Sequence, residues 1–294
     1  MAFSRRTLSV AILARHGERE TVDMSVTGRE LDFDVPLTDA GCEQMCRLGC
    51  NIRAKYQSFF SADGAAIEAS AAPISRCIQS AVNVMRGASP ATRVPVVTDT
   101  KLKTEYKDPS ADFEKVMEQF SDVVAAAVGP DAGHVGFVEK AKKTMIYCDN
   151  VKTMSETGRD ISQWNSHQVE RMLKFLELFF QDYMGDREFV VKSVAQVLVH
   201  TVQRLTTAAD TQVPLFLLMA TQDTVITRLL KAMDLMDGRD AGQPFAANIT
   251  FELSEEPATM ERSIRIWHNR DADEYPGDLL ATMSPQTLLA KIAV

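Results

Sequence analysis

The chain of 294 residues contains no long hydrophobic run. Near the N-terminus the apolar segment LSVAILA (residues 8–14) has seven residues, whereas a membrane-spanning helix needs about 20. Arg5 and Arg6 precede this segment, as basic residues precede the core of a signal peptide. It nevertheless leads straight into charged residues, without the small-residue spacer of a cleavage site. We therefore interpret it as the first strand of the fold and expect no membrane insertion.

Positive charge is also scarce, with 32 lysines and arginines against 40 aspartates and glutamates, a net charge of -8. A general binding surface for nucleic acid or anionic membranes is therefore not expected. Any anion-binding site must be a local pocket whose charge opposes that of the whole molecule.

Cysteine is too sparse for a disulfide framework, since the five cysteines are an odd number without compact spacing. Cys42, Cys46 and Cys50 recur every fourth residue and would share one helical face. No CxxC pair or nearby histidine completes the four ligands of a zinc site. We expect no metal or other cofactor, and a reducing, cytoplasmic location.

The overall composition is that of a globular protein, with 45% apolar and 24% charged residues. Hydrophobic patterning predicts alternating strands and helices, and two of the strands are continuous apolar runs typical of a buried sheet. The predicted strands are Thr7–Ala14, Arg93–Thr98, Val213–Ala220, Asn248–Leu253 and Ser263–His268. The predicted helices of this part are Thr38 (as N-cap) to about Phe60, Ser75–Met85 and Asp223–Met236.

Between residues 103 and 210 the strand signals fade and helical patterns dominate, notably Ser162–Tyr183 and Glu188–Ala208. The predicted fold is therefore α/β, with a central, mostly parallel sheet flanked by helices and an inserted all-helical subdomain. We expect residues 1–102 and 211–294 to form the α/β core, and residues 103–210 to form the helical insertion.

A charged bend, Arg15-His16-Gly17-Glu18-Arg19, follows the first predicted strand. Open α/β sheets bind ligands at the carboxyl ends of their strands. Arginines at the carboxyl end of a strand can bind phosphate oxygens, and a neutral histidine between them can attack phosphorus. The alternative is a surface turn in which His16 pairs with Glu18.

Four segments resemble the motifs of one family, the histidine phosphatase superfamily, and specifically its acid phosphatase branch. RHGER (15–19) matches RHGxR, and LTDAGCEQ (37–44) resembles LTxxGxxQ. ATQDTVI (220–226) is similar to AHDTTI, and PFAANITFEL (244–253) to PxAxxxxFEL. The order and spacing of the segments fit over nearly the whole chain.

The resemblance implies a phosphohistidine mechanism without a metal. His16 would be the nucleophile, while Arg15 and Arg19 bind the phosphoryl group. Asp223 would be the general acid that protonates the leaving oxygen. The implied partner is a phosphorylated small molecule or a phosphoprotein.

Two positions depart from the family pattern. Gln222 stands where the family has a second histidine, so the phosphate-binding set would include an amide in its place. The family's arginine before the second core helix becomes Glu68, Ala69 or Ser70, depending on how a short insertion is placed.

Arg76 matches a second arginine of that segment, and we include it among the phosphate-binding candidates. Lys101, Lys103 or His200 could also supply the positive charge of the family arginine that this chain lacks.

Three functional hypotheses follow from these residues. The first is a histidine acid phosphatase-like phosphomonoesterase, weak or narrow in its substrates. The second is a catalytically impaired descendant that binds a phosphorylated ligand or partner. The third, less favoured, is an enzyme of the mutase-like branch, where RHGE and LTxxGxxQ also occur.

Overall fold

The computed structural model describes residues 5–23, 34–61, 64–103, 107–129, 134–236, 242–273 and 275–293. Its strands are β1 (Arg6–Arg15), β2 (Ala66–Ala71), β3 (Val96–Thr98), β4 (Leu215–Thr221), β5 (Asn248–Glu255), β6 (Arg262–Asn269) and β7 (Asp278–Met283). Its helices are α1 (Asp39–Lys55), α2 (Gln57–Ser61), α3 (Ser75–Ala88), α4 (Phe113–Gln119), α5 (Ser121–Val128), α6 (Phe137–Glu156), α7 (Ser166–Met184), α8 (Arg187–Asp210), α9 (Asp223–Ala232) and α10 (Pro285–Ala290).

The strands form one mixed sheet in the order β3-β2-β4-β1-β5-β6-β7. Strands β3, β2, β4 and β1 are parallel, and β5, β6 and β7 add antiparallel pairs on the other side. The predicted α/β class, a sheet flanked by helices, is confirmed. Because Arg15 of β1 lies opposite Thr221 of β4, the residues that follow these two strands meet at the same edge of the sheet.

The sequence prediction missed β2, which has the sequence AIEASA. Alanine, glutamate and serine do not favour strands by themselves. The segment is extended because it pairs with β4 on one side and β3 on the other. The predicted first helix is also interrupted, since α1 ends at Lys55 and α2 starts at Gln57.

The helices pack around two separate apolar clusters. The larger cluster joins the sheet to α1, α3, α8 and α9, while the smaller one lies mainly within α4 to α7. The described residues from 107 to 210 contain no strand, and the division of the chain at residues 102/103 and 210/211 stays a prediction. Among the helices of the described ranges, none has both the length and the apolar character needed to cross a membrane.

Helices α1 and α3 pack closely enough that glycine is required at their contact. A Cβ atom on Gly49 would lie 2.1 Å from the carbonyl oxygen of Val84, and one on Gly87 would lie 2.2 Å from that of Cys46. The two helices form the layer on which the charged bend after β1 rests.

We expect Gly49→Ala to lower the free energy of unfolding by about 2 kcal/mol, because the new methyl group would overlap rigid backbone. The loss should appear even though alanine favours helices more than glycine does. Denaturant titration measures it. The control is Gly136→Ala at the N-cap of α6, where a Cβ atom meets nothing within 4 Å. Equal stabilities for the two variants would contradict this account of the contact.

Candidate active site

All six predicted site residues line one cavity of about 60 Å³ at the carboxyl ends of β1 and β4. The cavity also has a wall that the sequence analysis did not predict, supplied mostly by α6 and α7. The predicted residues are Arg15, His16, Arg19, Arg76, Gln222 and Asp223; the additional ones are Val22, Met145, Ile146, Asp149, Phe179, Phe180, Tyr183 and Thr224.

The bend after β1 is held against the start of α1. Thr38 caps the helix by accepting a hydrogen bond from the N–H of Gly41 (2.9 Å), and its own N–H donates to the carbonyl of Glu18 (3.1 Å). A Cβ atom on Gly41 would lie 2.0 Å from that carbonyl oxygen. Two of the segments that resemble family motifs therefore fit together as one rigid unit, and the predicted N-cap is confirmed.

His16 is buried, with only 3% of its surface exposed, so the surface-turn alternative is wrong. The Glu18 carboxylate accepts a hydrogen bond from the hydroxyl of Thr38 (3.0 Å). The Nδ1 of His16 lies 2.9 Å from the carbonyl oxygen of Gly17. A carbonyl can only accept, so Nδ1 carries the proton and Nε2 of the neutral ring keeps its lone pair.

Burial of the ring lowers the pKa of His16 well below its ordinary value, and the charges of Arg76 and Arg15 lower it further. The hydrogen bond to Gly17 opposes this shift without cancelling it. The lowered pKa favours the neutral ring of His16. This is the form of histidine that acts as a nucleophile.

Arg15, next to His16, contacts residues from the C-terminal part of the chain. Its guanidinium donates to the carbonyl of Gln243 and lies 4.4 Å from the ring centroid of Phe245. Its Nη2 is 3.4 Å from Oδ2 of Asp223, in the first turn of α9. Asp223 is also held by its own helix, since its Oδ1 accepts a hydrogen bond from the N–H of Thr224 (2.8 Å).

Arg19 is paired with a residue that the sequence analysis missed. Its Nη2 donates to the carboxylate of Asp149 on α6, and its Nη1 donates to the carbonyl of Glu20 (2.7 Å). The side chain of Arg19 is 7% exposed and that of Asp149 is 26% exposed. No local pattern in α6 marks Asp149, because its place in the cavity depends only on how α6 packs beside the bend.

Arg76 is the one cation among the four suggested replacements that lines this cavity. It lies in the first turn of α3, is buried, and has the largest effect of any charged neighbour on the pKa of His16. Lys101 and Lys103 line a different cavity, beside α8. His200 is also absent from the lining; its lowered pKa is due to burial and to the charge of Lys101.

None of the three residues aligned with the lost arginine lines the cavity. Glu68 is half exposed and forms an ion pair with Arg204 of α8. Ala69 is buried within the sheet, and Ser70 lies beside it on the same strand. A negative charge therefore does not replace the lost arginine inside the cavity.

Gln222 separates β4 from α9 and is 6% exposed. Its Oε1 is buried and has no hydrogen-bond partner among the described residues. This oxygen can only accept a hydrogen bond, so donation to an anion falls to the N–H groups of the same amide. A glutamine here supplies a donor without positive charge.

The charged lining consists of three arginines and two carboxylates, so the cavity suits an anion. Apolar and aromatic side chains of α6 and α7 cover it, and exclusion of water strengthens charge interactions inside. Within the described ranges, no group of three or more His, Cys, Asp or Glu side chains is arranged to hold a metal ion.

We expect Arg76→Gln to raise the pKa of His16 towards its ordinary value, because loss of a nearby positive charge stabilises the protonated ring. NMR titration of the His16 ring, assigned by the signal lost in His16→Ala, measures this pKa. Arg86→Gln is the matched control, since Arg86 is exposed at the far end of the same helix. An unchanged pKa in Arg76→Gln would show that the charge of Arg76 does not contribute to the shift.

We expect Asp149→Asn to tighten the binding of inorganic phosphate by about tenfold, equivalent to ~1.4 kcal/mol. The amide oxygen still accepts from Arg19 but no longer repels the anion. Titration calorimetry at constant ionic strength measures the affinity. Glu139→Gln, which removes an exposed carboxylate from the same helix, should leave it unchanged. Weaker binding in Asp149→Asn would mean that the carboxylate mainly positions Arg19.

No family model matches the sequence, and no curated protein matches it. Solved structures do match over nearly the whole chain. The phytase from Citrobacter braakii has 14% identity and a TM-score of 0.67, with 98% of this chain and 97% of that chain covered.

Hafnia alvei phytase in complex with myo-inositol hexakis sulphate has 11% identity and a TM-score of 0.66, covering 99% and 97%. The multiple inositol polyphosphate phosphatase of Bifidobacterium longum in complex with phosphate has 12% identity and a TM-score of 0.63, covering 92% and 88%. These likenesses show the fold: the chain has the α/β fold of these phytases and of the multiple inositol polyphosphate phosphatase.

Proposed function

We propose that this protein is a phosphomonoesterase that works through a phosphohistidine intermediate. The observation that carries the proposal is the state of His16: a buried, neutral ring whose Nδ1 is bonded to a carbonyl and whose Nε2 lone pair is available. Three arginines line the same cavity and would neutralise a phosphoryl group.

In the first step, Nε2 of His16 forms a bond to phosphorus while the bond from phosphorus to the ester oxygen breaks. The ring becomes positively charged, and the Gly17 carbonyl that accepts from Nδ1–H stabilises this charge. Asp223 in its protonated form gives its proton to the leaving oxygen.

In the second step, Asp223 takes a proton from water, which then attacks phosphorus and restores neutral His16. The arginines hold the phosphoryl oxygens in both steps. Gln222 would donate a hydrogen bond to one of these oxygens.

The two departures from the family pattern, at Gln222 and at the lost arginine, would lower the rate of hydrolysis without abolishing it. Loss of one preorganised donor typically costs about 10²–10³ in rate. Arg76 supplies a cation near His16, but it matches a second arginine of the family segment, so charge is reduced relative to the family pattern both at Gln222 and at the lost arginine. The protein would then be a slow enzyme rather than an inactive one.

Binding of a phosphorylated ligand without hydrolysis is the second candidate function. The ion pair between Arg19 and Asp149 favours it, because this arginine is already engaged by a carboxylate. The uncharged Gln222 favours it as well. In this function the cavity would bind a phosphate group and release it unchanged.

A phosphorylated small molecule is the proposed partner, since the cavity is narrow and covered by α6 and α7. We also propose a cytoplasmic location. All five cysteines are free thiols, which supports a reducing compartment.

We expect brief reaction with a ³²P-labelled aryl phosphate, followed by denaturation at alkaline pH, to leave label on His16. Phosphohistidine survives base, whereas an acyl phosphate does not. Mapping of the labelled peptide locates the residue, and His16→Ala should carry no label. Binding of the aryl phosphate without label or turnover at any pH would instead support the second candidate function.

We expect Gln222→His to raise kcat at least about tenfold at acidic pH, because a protonated imidazole adds a charged donor for the phosphoryl oxygens. Steady-state release of phosphate measures the change. Gln181→His, an exposed substitution of the same type on α7, should have no effect. A drop in kcat for Gln222→His would show that the amide is part of an adapted site.

A further inference from the structure

A second and much larger cavity, of about 970 Å³, adjoins the catalytic one. We call it the apolar groove. It lies along α6 and α7 and is closed on the other side by Gly242, Pro244 and Arg270. No step of the mechanism above uses it.

The groove and the catalytic cavity are neighbours along α6 and α7. Along α6, Asp149 lines the cavity and Lys152 lines the groove. Along α7 the order is reversed, since Tyr183 and Phe179 line the cavity and Leu176 lines the groove.

Phe180 lines both spaces. On the facing side, Gly242 and Pro244 of the groove flank Gln243, whose carbonyl accepts a hydrogen bond from Arg15. A molecule whose phosphate lies beside His16 would therefore have the groove as the space for the rest of its structure.

The walls of the groove are mainly apolar. The indole N–H of Trp164 donates to the hydroxyl of Tyr147 (2.8 Å), so its polar atom is already satisfied inside the protein. Leu173 is 39% exposed within the groove. Apolar side chains exposed in a concave surface are typical of a site for an organic ligand.

The charges of the groove largely cancel. Lys152 lies 3.7 Å from Glu156, and Lys174 lies 2.8 Å from Glu177. The remaining charged lining residues, Glu170 and Arg270, have opposite signs. The groove therefore has no excess of positive charge with which to bind further phosphate groups.

We propose that the apolar groove binds the organic part of the substrate, and that the substrate is a monophosphate ester of an aromatic or extended aliphatic alcohol. This inference rests on the proposed function and narrows its substrate class. A polyol that carries several phosphates would place dianions against paired charges and apolar walls, and so would be a poor substrate.

The test compares three esters as substrates of the full chain: 2-naphthyl phosphate, glycerol 2-phosphate and myo-inositol hexakisphosphate. A single methylene in an apolar pocket changes kcat/KM by roughly 10–200-fold. We therefore expect 2-naphthyl phosphate to exceed both others by at least tenfold in kcat/KM. Equal or faster turnover of the hexakisphosphate would overturn the inference while leaving the proposed function intact.

Leu173→Gln tests the groove directly, because it replaces an exposed apolar wall by a neutral polar one of similar size. We expect kcat/KM for 2-naphthyl phosphate to fall at least fivefold. The matched control is Leu279→Gln on β7, which is exposed to a similar degree (48%) outside the groove and should keep the original value. Equal values for the two variants would overturn the inference.

Calorimetry on His16→Ala separates this inference from the proposed function. We expect this variant to bind 2-naphthyl phosphate at least tenfold more tightly than inorganic phosphate, and Leu173→Gln in the same background to remove most of the difference. If the wild type hydrolyses no ester but this preference is observed, the proposed function fails and the groove assignment stands. Equal binding of the two probes would overturn the groove assignment.

Discussion

Repulsion between positive charges is the constraint on which the site depends. Arg15, Arg19 and Arg76 line one small cavity, and buried like charges are costly unless they are paired. The compensation comes from distant parts of the chain, with Asp223 beside Arg15 and Asp149 beside Arg19. Burial lowers the pKa of His16, and the charges of these arginines lower it further, so the cationic lining that must be stabilised also favours the neutral, nucleophilic ring.

Much of the fold could be predicted because its central strands have strong local signals. The runs that became β1 and β4 are mainly apolar, as burial on both faces requires. Strand β2 lacked such a signal, since its alanines pack between neighbours that are distant in sequence. Helix α8 was predicted as part of the insertion, yet its apolar residues join the core of the sheet, which only tertiary packing decides.

The residues of the site likewise fall into those that could be placed from the sequence and those that could not. Residues within short motifs, such as His16 and Asp223, could be placed from sequence because a motif fixes its own local geometry. Asp149 could not, since its neighbours in α6 show only a helical pattern and its partner is 130 residues away. The loss of the family's arginine was visible in the sequence, but its effect was not, because it depends on where Arg76 and Glu68 point.

The hydrogen bonds that anchor the bend also determine when the nucleophile can exist. The N–H of Arg15 donates to Ala247 and that of His16 donates to Thr221, so both bonds await the last quarter of the chain. At about 5–20 residues per second, a ribosome reaches those residues roughly 10–50 s after the bend has been made. During that interval the bend lacks these two hydrogen bonds. A product truncated before Thr221 therefore lacks both of the hydrogen bonds that anchor the bend.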